Sequence, residues 1–167
     1  MTGRIFVSTA KNICFRMICS ITFMAVFNAY AAEVNFTLEN VTLDDNMQMT
    51  GAFLWIFDTG DFENGDGQFT SLDIPHTSHD HTDLVAAFDV GRSIEITLPG
   101  STHDDGVDIT LVLLQALSPN MSSPINLVES KYEIGGNGFH DGLFLSGLIS
   151  PDTSGDGVIF KNGFESE

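Results

Sequence analysis

Basic residues are scarce in this chain: six Lys and Arg stand against 23 Asp and Glu, a formal net charge of −17. Such a surface repels polyanions, so nucleic acid and anionic lipid headgroups are poor partners. Cysteine is nearly absent, with only Cys14 and Cys19 near the N-terminus. Beyond them no disulfide can form, and neither a thiol nucleophile nor a thiolate metal ligand is available. Trp55 is the single tryptophan against fourteen Phe. That balance favours an apolar core over an aromatic platform for sugars, and the apolar run around Trp55 points to its burial. No Gly-x-Ser-x-Gly elbow and no Gly-rich phosphate loop with a lysine is present.

The N-terminal segment has the composition of an export signal. Arg4, Lys11 and Arg16 supply positive charge, and no acidic residue precedes Glu33. The apolar run Ile18 to Phe27 follows, shorter than the roughly 20 residues a bilayer span needs. Ala29-Tyr30-Ala31 then forms a small-x-small cleavage site. Residues 1–31 are therefore expected to be a signal peptide, and the mature protein is expected to be secreted or periplasmic. The mature chain keeps three basic residues, Arg92, Lys131 and Lys161, against all 23 acidic ones, a net charge of −20 (3 − 23). It loses both cysteines and must be held by apolar burial alone. A domain of this size buries roughly 68% of its unfolded surface, which suffices for one core.

Apolar residues alternate in the manner of strands rather than helices. Val34, Phe36 and Leu38 show period two, and Met47 to Phe57 reads as a second, central strand. Gln68 to Ile74 is a third, ended by Pro75. Leu84 to Val90 and Ser93 to Leu98 are joined through Gly91-Arg92. Val107 to Leu117, Ile125 to Ile134 and Leu143 to Ile149 complete about eight strands, with β-branched residues favouring strand over helix in the first of these. The expectation is all-β: a single β-sandwich or open barrel of antiparallel strands over residues 32–150. An acidic, flexible tail is expected over 151–167. No apolar run closes the chain, so no membrane span is expected in the mature protein.

Thr50-Gly51-Ala52-Phe53 leading to Asp58-Thr59, then a strand ending Leu72-Asp73-Ile74, resembles a pattern in small exported bacterial proteins of unknown function. Those proteins often carry a PEP-CTERM sorting tail, which this sequence lacks. The closing Phe160-Lys161-Asn162-Gly163-Phe164-Glu165-Ser166 is similar to endings of other exported bacterial proteins. The resemblance implies a secreted bacterial β-domain and brings no activity or catalytic residue.

Three strings carry candidate chemistry. Ile56-Phe57-Asp58-Thr59-Gly60 is similar to the apolar-Asp-Thr-Gly turn of aspartic proteases, which pair two carboxylates around one proton. Here Asp61 stands where that family has a small residue, and no second signature follows. A strand ending in an Asp-x-Gly turn explains the string equally. Asp152-x-Ser154-x-Asp156-Gly157 matches the first half of a calcium loop, but Gly163 occupies the position of the closing bidentate carboxylate. Asp61, Glu63 and Asp66, among Gly60, Gly65 and Gly67, are a second set of hard oxygen donors, and Asp104, Asp105 and Asp108 a third. Calcium is the cofactor such loops point to. His76-Thr77-Ser78-His79-Asp80-His81 places three of the five histidines within six residues. Zinc or copper could take His79 and His81 from one face of an extended segment, with His76 completing the set if the loop folds back.

The expected function is a secreted, non-enzymatic binding or structural module, stabilised by calcium, with a cell-surface or carbohydrate partner. The competing expectation is a metal-dependent or aspartic-type secreted hydrolase acting through the histidine string or Asp58.

Overall fold

The computed structural model describes residues 31–152 and 159–160. The leader expected over 1–31 lies outside this range except for Ala31. So do Ser154 and Asp156 of the half calcium loop. The described chain is almost wholly antiparallel strand. β1 (Ala31–Leu43), β2 (Gln48–Asp58) and β3 (Asp66–Asp73) form a meander, as do β4 (Val85–Asp89), β5 (Ser93–Leu98) and β6 (Val107–Val112). A two-residue β7 (Ser123–Pro124) precedes β8 (Lys131–Ile134) and β9 (His140–Pro151), and β10 (Ile159–Phe160) pairs with Ala32 and Glu33 of β1.

The eight main strands are ordered β3-β2-β1-β9-β8-β6-β5-β4. Long strands β1 and β9 join the two meanders, and every hydrogen-bonded pair is antiparallel. The outer strands, β3 and β4, are consecutive in sequence and face each other without a backbone ladder. The result is a nearly closed eight-stranded barrel, open along one seam, in agreement with the open-barrel form of the expected fold. No helix among the described residues is long and apolar enough to cross a membrane.

Alternation along each strand decides which residues fill the interior. Ala32, Val34, Phe36 and Leu38 of β1 are buried, and so are Phe53, Trp55 and Phe57 of β2, Ile94 and Ile96 of β5, and Ile109 and Leu111 of β6. Eight strands enclose a space that side chains can fill, and here aromatic rings fill the half nearest the seam. Phe53 stacks on Phe36 at 5.1 Å, and Phe88 of β4 lies 5.0 Å from Phe53, 5.5 Å from Phe69 and 6.1 Å from Trp55. The seam is thus closed by rings rather than by hydrogen bonds. Gly67 allows this approach: a Cβ there would sit 2.6 Å from the Phe88 ring.

Three sequence expectations change in detail, the first being that the strand expected over Val107 to Leu117 ends at Val112 as β6. β2 is second from the edge rather than central, and its outward Ile56 is 40% exposed. The strand expected over Ile125 to Ile134 shrinks to β8, because Asn126 starts a turn. Its backbone carbonyl accepts from Ser130 N (2.9 Å) and its side chain from Val128 N (3.1 Å).

Antiparallel order also fixes which loops share an end. The connections after β1, β3, β5 and β8 all lie at one end of the barrel. Those after β2, β4 and β6 lie at the other. His76, His79, His81 and His103 fall on the first set, and His140 opens β9 immediately after it. All five histidines of the chain therefore gather at one end.

Candidate metal centre

The connection from β1 to β2 is a tight reversal. Leu43 N donates to Met47 O (2.9 Å), Asn46 N donates to Leu43 O (3.0 Å), and Asn46 takes the left-handed conformation (φ 69°). Asparagine tolerates that conformation better than most residues. Asp45 at the turn's centre accepts Met47 N on Oδ1 at 2.9 Å. This bond orients the carboxylate and leaves Oδ2 to accept from His76 Nε2 at 2.5 Å. The Met47 amide is the main cause that holds Asp45 below the ordinary carboxylate value, with His76 adding to it and burial opposing it. The neighbouring Asp44 turns the other way and accepts the hydroxyl of Tyr132, a buried residue of β8.

His76 follows the buried Ile74-Pro75 at the end of β3 and also has a left-handed backbone (φ 70°). That conformation costs a non-glycine residue free energy, so its surroundings must fix it. They do so through the turn between β8 and β9: Asn137 N donates to the His76 carbonyl (3.1 Å), and Gly136 N donates to Asp104 O (2.7 Å). Gly135 N reaches Gly106 O (2.8 Å), a contact so close that a Cβ at Gly135 would lie 2.7 Å from Thr102 O. Three loops are thereby tied by backbone bonds before any side chain acts.

His140 completes the arrangement. Its ring stacks on that of His76 at 3.6 Å and 10°. Asp45, His76 and His140 each offer a ligand atom within 4.8 Å of the other two. Among the described residues this is the one trio of His, Cys, Asp or Glu that does so. Asp45 is exposed and both histidines are half-buried, so the trio opens to solvent. Two imidazoles and a carboxylate suit zinc and other borderline divalent ions. The lone pairs of parallel rings run side by side, whereas zinc needs both nitrogens at about 2.0–2.1 Å. Metal entry must splay the stack and displace the proton between His76 and Asp45.

His76 is thus the one sequence candidate that enters the trio. The segment after it coils instead of extending: Thr82 N donates to Asp80 Oδ1 (2.7 Å) and Asp83 N to Asp80 O (3.1 Å). Alternate residues therefore do not share a face, and His79 and His81 diverge. His81 lines a shallow depression at the seam with Phe69 and Leu84. His79 lies between two carboxylates: Nδ1 is 3.3 Å from Asp83 Oδ2, and Nε2, shielded from water, faces Asp105 Oδ1 at 3.1 Å, off the hydrogen-bond line. Asp105 first, then Asp83, raises the His79 imidazole above its ordinary 6.5, against a smaller opposing effect of desolvation.

A raised folded-state value means that His79 stabilises the fold when protonated. That contribution is complete below pH 6.5 and fades as pH rises through the raised value. The melting-temperature difference between wild type and His79→Gln is expected to be greatest in mild acid and to shrink above neutrality. Because both carboxylate partners are largely exposed to solvent, the difference is small. A pH-independent difference would contradict this assignment.

Asp104 and Asp105 stand at the histidine end, Asp105 beside His79, but the other acidic candidates lie elsewhere. Asp61, Glu63 and Asp66 occupy the opposite end, around a single 3-10 turn at Phe62–Asn64. That loop serves the core. Phe62 packs on Phe57 at 4.9 Å and its carbonyl accepts Trp55 Nε1 at 2.9 Å, while Asp61 Oδ1 accepts Asn64 Nδ2 at 2.6 Å. Asp152 N donates to Asn35 O (2.7 Å), extending the β1 pairing. Asp58 ends β2, and its carbonyl accepts Asp61 N (2.8 Å) in a turn through Gly60 (φ 91°). Trp55 is 2% exposed and offers no face to a sugar. Asp45 and His140 are the site residues that local spacing could not reveal.

No protein-family model matches this chain, and neither does any curated protein or solved structure.

Proposed function

We propose that this protein is an exported, non-enzymatic β-barrel module that holds one divalent transition-metal ion at its histidine-bearing end. The observation that supports this reading is the trio Asp45, His76 and His140, drawn from two connections and the first residue of β9 and within 4.8 Å of one another. Imidazole nitrogen favours zinc, copper, cobalt or nickel, whereas calcium takes six to eight oxygens. Calcium at the acidic loops is a separate proposal, read from the half-motif at Asp152. A metal hydrolase is the second reading, favoured by the solvent-open side of the trio, because catalytic zinc sites keep a position free.

Calorimetric titration with zinc, cobalt and calcium tests the first reading. One equivalent of zinc or cobalt is expected to bind, and calcium is not expected to compete for the trio. His76→Gln and His140→Gln are each expected to weaken zinc binding by at least about 100-fold, the upper range for losing even an outer partner of a ligand. Absence of uptake, or uptake unchanged in both variants, removes the reading.

A further inference from the structure

Three Asn-Gly pairs occur in the chain, Asn64-Gly65, Asn137-Gly138 and Asn162-Gly163, the last outside the described residues. Asparagine is among the thermolabile residues. Glycine is the least hindered residue to follow it, having no Cβ to keep its nitrogen from the side-chain amide. The two described pairs sit in opposite surroundings.

Asn64 closes the 3-10 turn Phe62–Asn64 and is held from two sides. Its Nδ2 donates to Asp61 Oδ1 at 2.6 Å, and its backbone N donates to Asp61 O at 3.2 Å. Gly65 is wedged against the core: a Cβ there would lie 2.5 Å from Ile56 O and 2.6 Å from the Trp55 ring. The amide and the following nitrogen cannot swing together without breaking these contacts.

Asn137-Gly138 is the reverse. Both residues are exposed, in the turn between β8 and β9. Among the described residues the Asn137 side-chain amide has no hydrogen-bond partner, and neither has the Gly138 N–H. Gly138 takes φ 109°, a conformation open to glycine. Beyond its chain neighbours, a Cβ there would meet nothing nearer than His140 Nε2 at 3.6 Å. The Asn137 backbone is fixed by its N–H on the His76 carbonyl at 3.1 Å. The reacting groups are free while the frame is held.

We propose that Asn137 is a site of spontaneous deamidation and isomerisation, which ages the histidine-bearing end of the barrel. The Gly138 nitrogen loses its proton and attacks Asn137 Cγ. The N–Cγ bond forms, the Cγ–Nδ2 bond breaks, and Nδ2 leaves as ammonia with a proton in place of the one lost. Water then opens the cyclic imide. Cleavage of the new N–Cγ bond gives aspartate, and cleavage between that nitrogen and the Asn137 backbone carbonyl carbon gives isoaspartate. Isoaspartate carries the main chain through Cβ and Cγ. The chain is thereby lengthened between the Asn137 N–H, seated on His76, and His140 just downstream. Resting on the metal reading above, this shifts the two imidazoles relative to one another and weakens metal binding.

The test is to age the metal-free protein in warm, mildly alkaline buffer and follow each Asn-Gly peptide by mass spectrometry. Electron-based fragmentation separates isoaspartate from aspartate. A hydrogen bond to a charged acceptor that must break first slows a reaction by tenfold or more, so Asn137 is expected to convert at least about tenfold faster than Asn64. In urea both pairs lose their surroundings and are expected to convert at similar rates. Asn137→Gln, whose longer side chain cannot form the same ring, is expected to stay unconverted. Zinc titration is expected to show a loss of at least about tenfold in affinity in aged wild type and none in aged Asn137→Gln. Conversion of Asn64 as fast as Asn137 in the folded protein, or no conversion of Asn137, overturns the site. Conversion with zinc affinity unchanged overturns its effect on the histidine end. Fresh wild type that binds no zinc removes the metal reading, and the conversion rates alone then decide the modification.

Discussion

Phe88→Ala is expected to lower the free energy of unfolding by about 3 kcal/mol, the lower end of the range for removing a phenylalanine from a core. Phe88 is half-buried, yet it is the ring through which β4 meets β2 and β3, touching Phe53, Phe69 and Trp55. No ladder bonds cross the seam, so nothing else compensates for the lost contact. A domain of this size has roughly 5–15 kcal/mol to lose. The change should therefore move the urea midpoint strongly and leave the slope near its wild-type value if unfolding stays two-state. Amides of β3 and β4 should exchange faster than those of β1 and β9, which are bonded on both sides. Gly67→Val approaches the same contact from the other strand, by overpacking, at a cost of about 1–3 kcal/mol. A loss under about 1 kcal/mol in Phe88→Ala would mean that the seam is held by something other than these rings. Metal affinity at the far end should be unchanged in both variants, which makes them controls for the site.

The fold was legible because alternation is a local signal. Val34, Phe36 and Leu38 announce their strand without help from the rest of the chain, and so do Ile94, Ile96, Ile109 and Leu111. The Ile125 to Ile134 segment misled because Ser130 and Val128 are claimed by Asn126, a competition between side chain and ladder that apolar content does not register. The site was legible only in part. His76 stood out through its crowded neighbours, but those neighbours, His79 and His81, are not its partners. Asp45 lies 31 residues before it. It is embedded in Asp44-Asp45-Asn46, a string that reads as ordinary turn chemistry, and His140 follows a glycine-rich turn in the same way.

A topological signal was nonetheless available. In an up-and-down antiparallel sheet, alternate connections share an end. Counting the expected strands places Asp44 and Asp45, His76 to His81, His103 to Asp105, and His140 all in odd-numbered gaps. Asp61, Glu63 and Asp66 fall in an even one. Parity alone separates the histidines from the acidic loop at Asp61. It does not say which members meet, because that depends on the left-handed backbone at His76 and on the bonds that seat it over Asn137.

Tyr132→Phe is expected to weaken zinc binding by about tenfold, although Tyr132 is not one of the three donors. Removing an outer-sphere partner of a metal ligand commonly costs 10–100-fold in affinity, and Tyr132 acts one step further out, through Asp44. Its hydroxyl holds Asp44 down against β9, where Gly142 leaves the space: a Cβ at 142 would collide with that carboxylate. With Asp44 fixed, the backbone turn through Asn46 and the Met47 amide aim Asp45 at His76. Without the hydroxyl, the reversal keeps its two backbone bonds but loses its anchor to the barrel. The donor carboxylate then samples positions from which it cannot reach the metal. A purely structural role would lower the melting temperature and leave the dissociation constant, measured far below that temperature, unchanged. A positioning role moves the dissociation constant in a protein that is still folded. Gly142→Ala reaches the same contact from the opposite side and should give a loss of similar size. If both variants bind zinc as wild type does while Asp45→Asn does not, the turn is rigid on its own and Tyr132 serves the core alone.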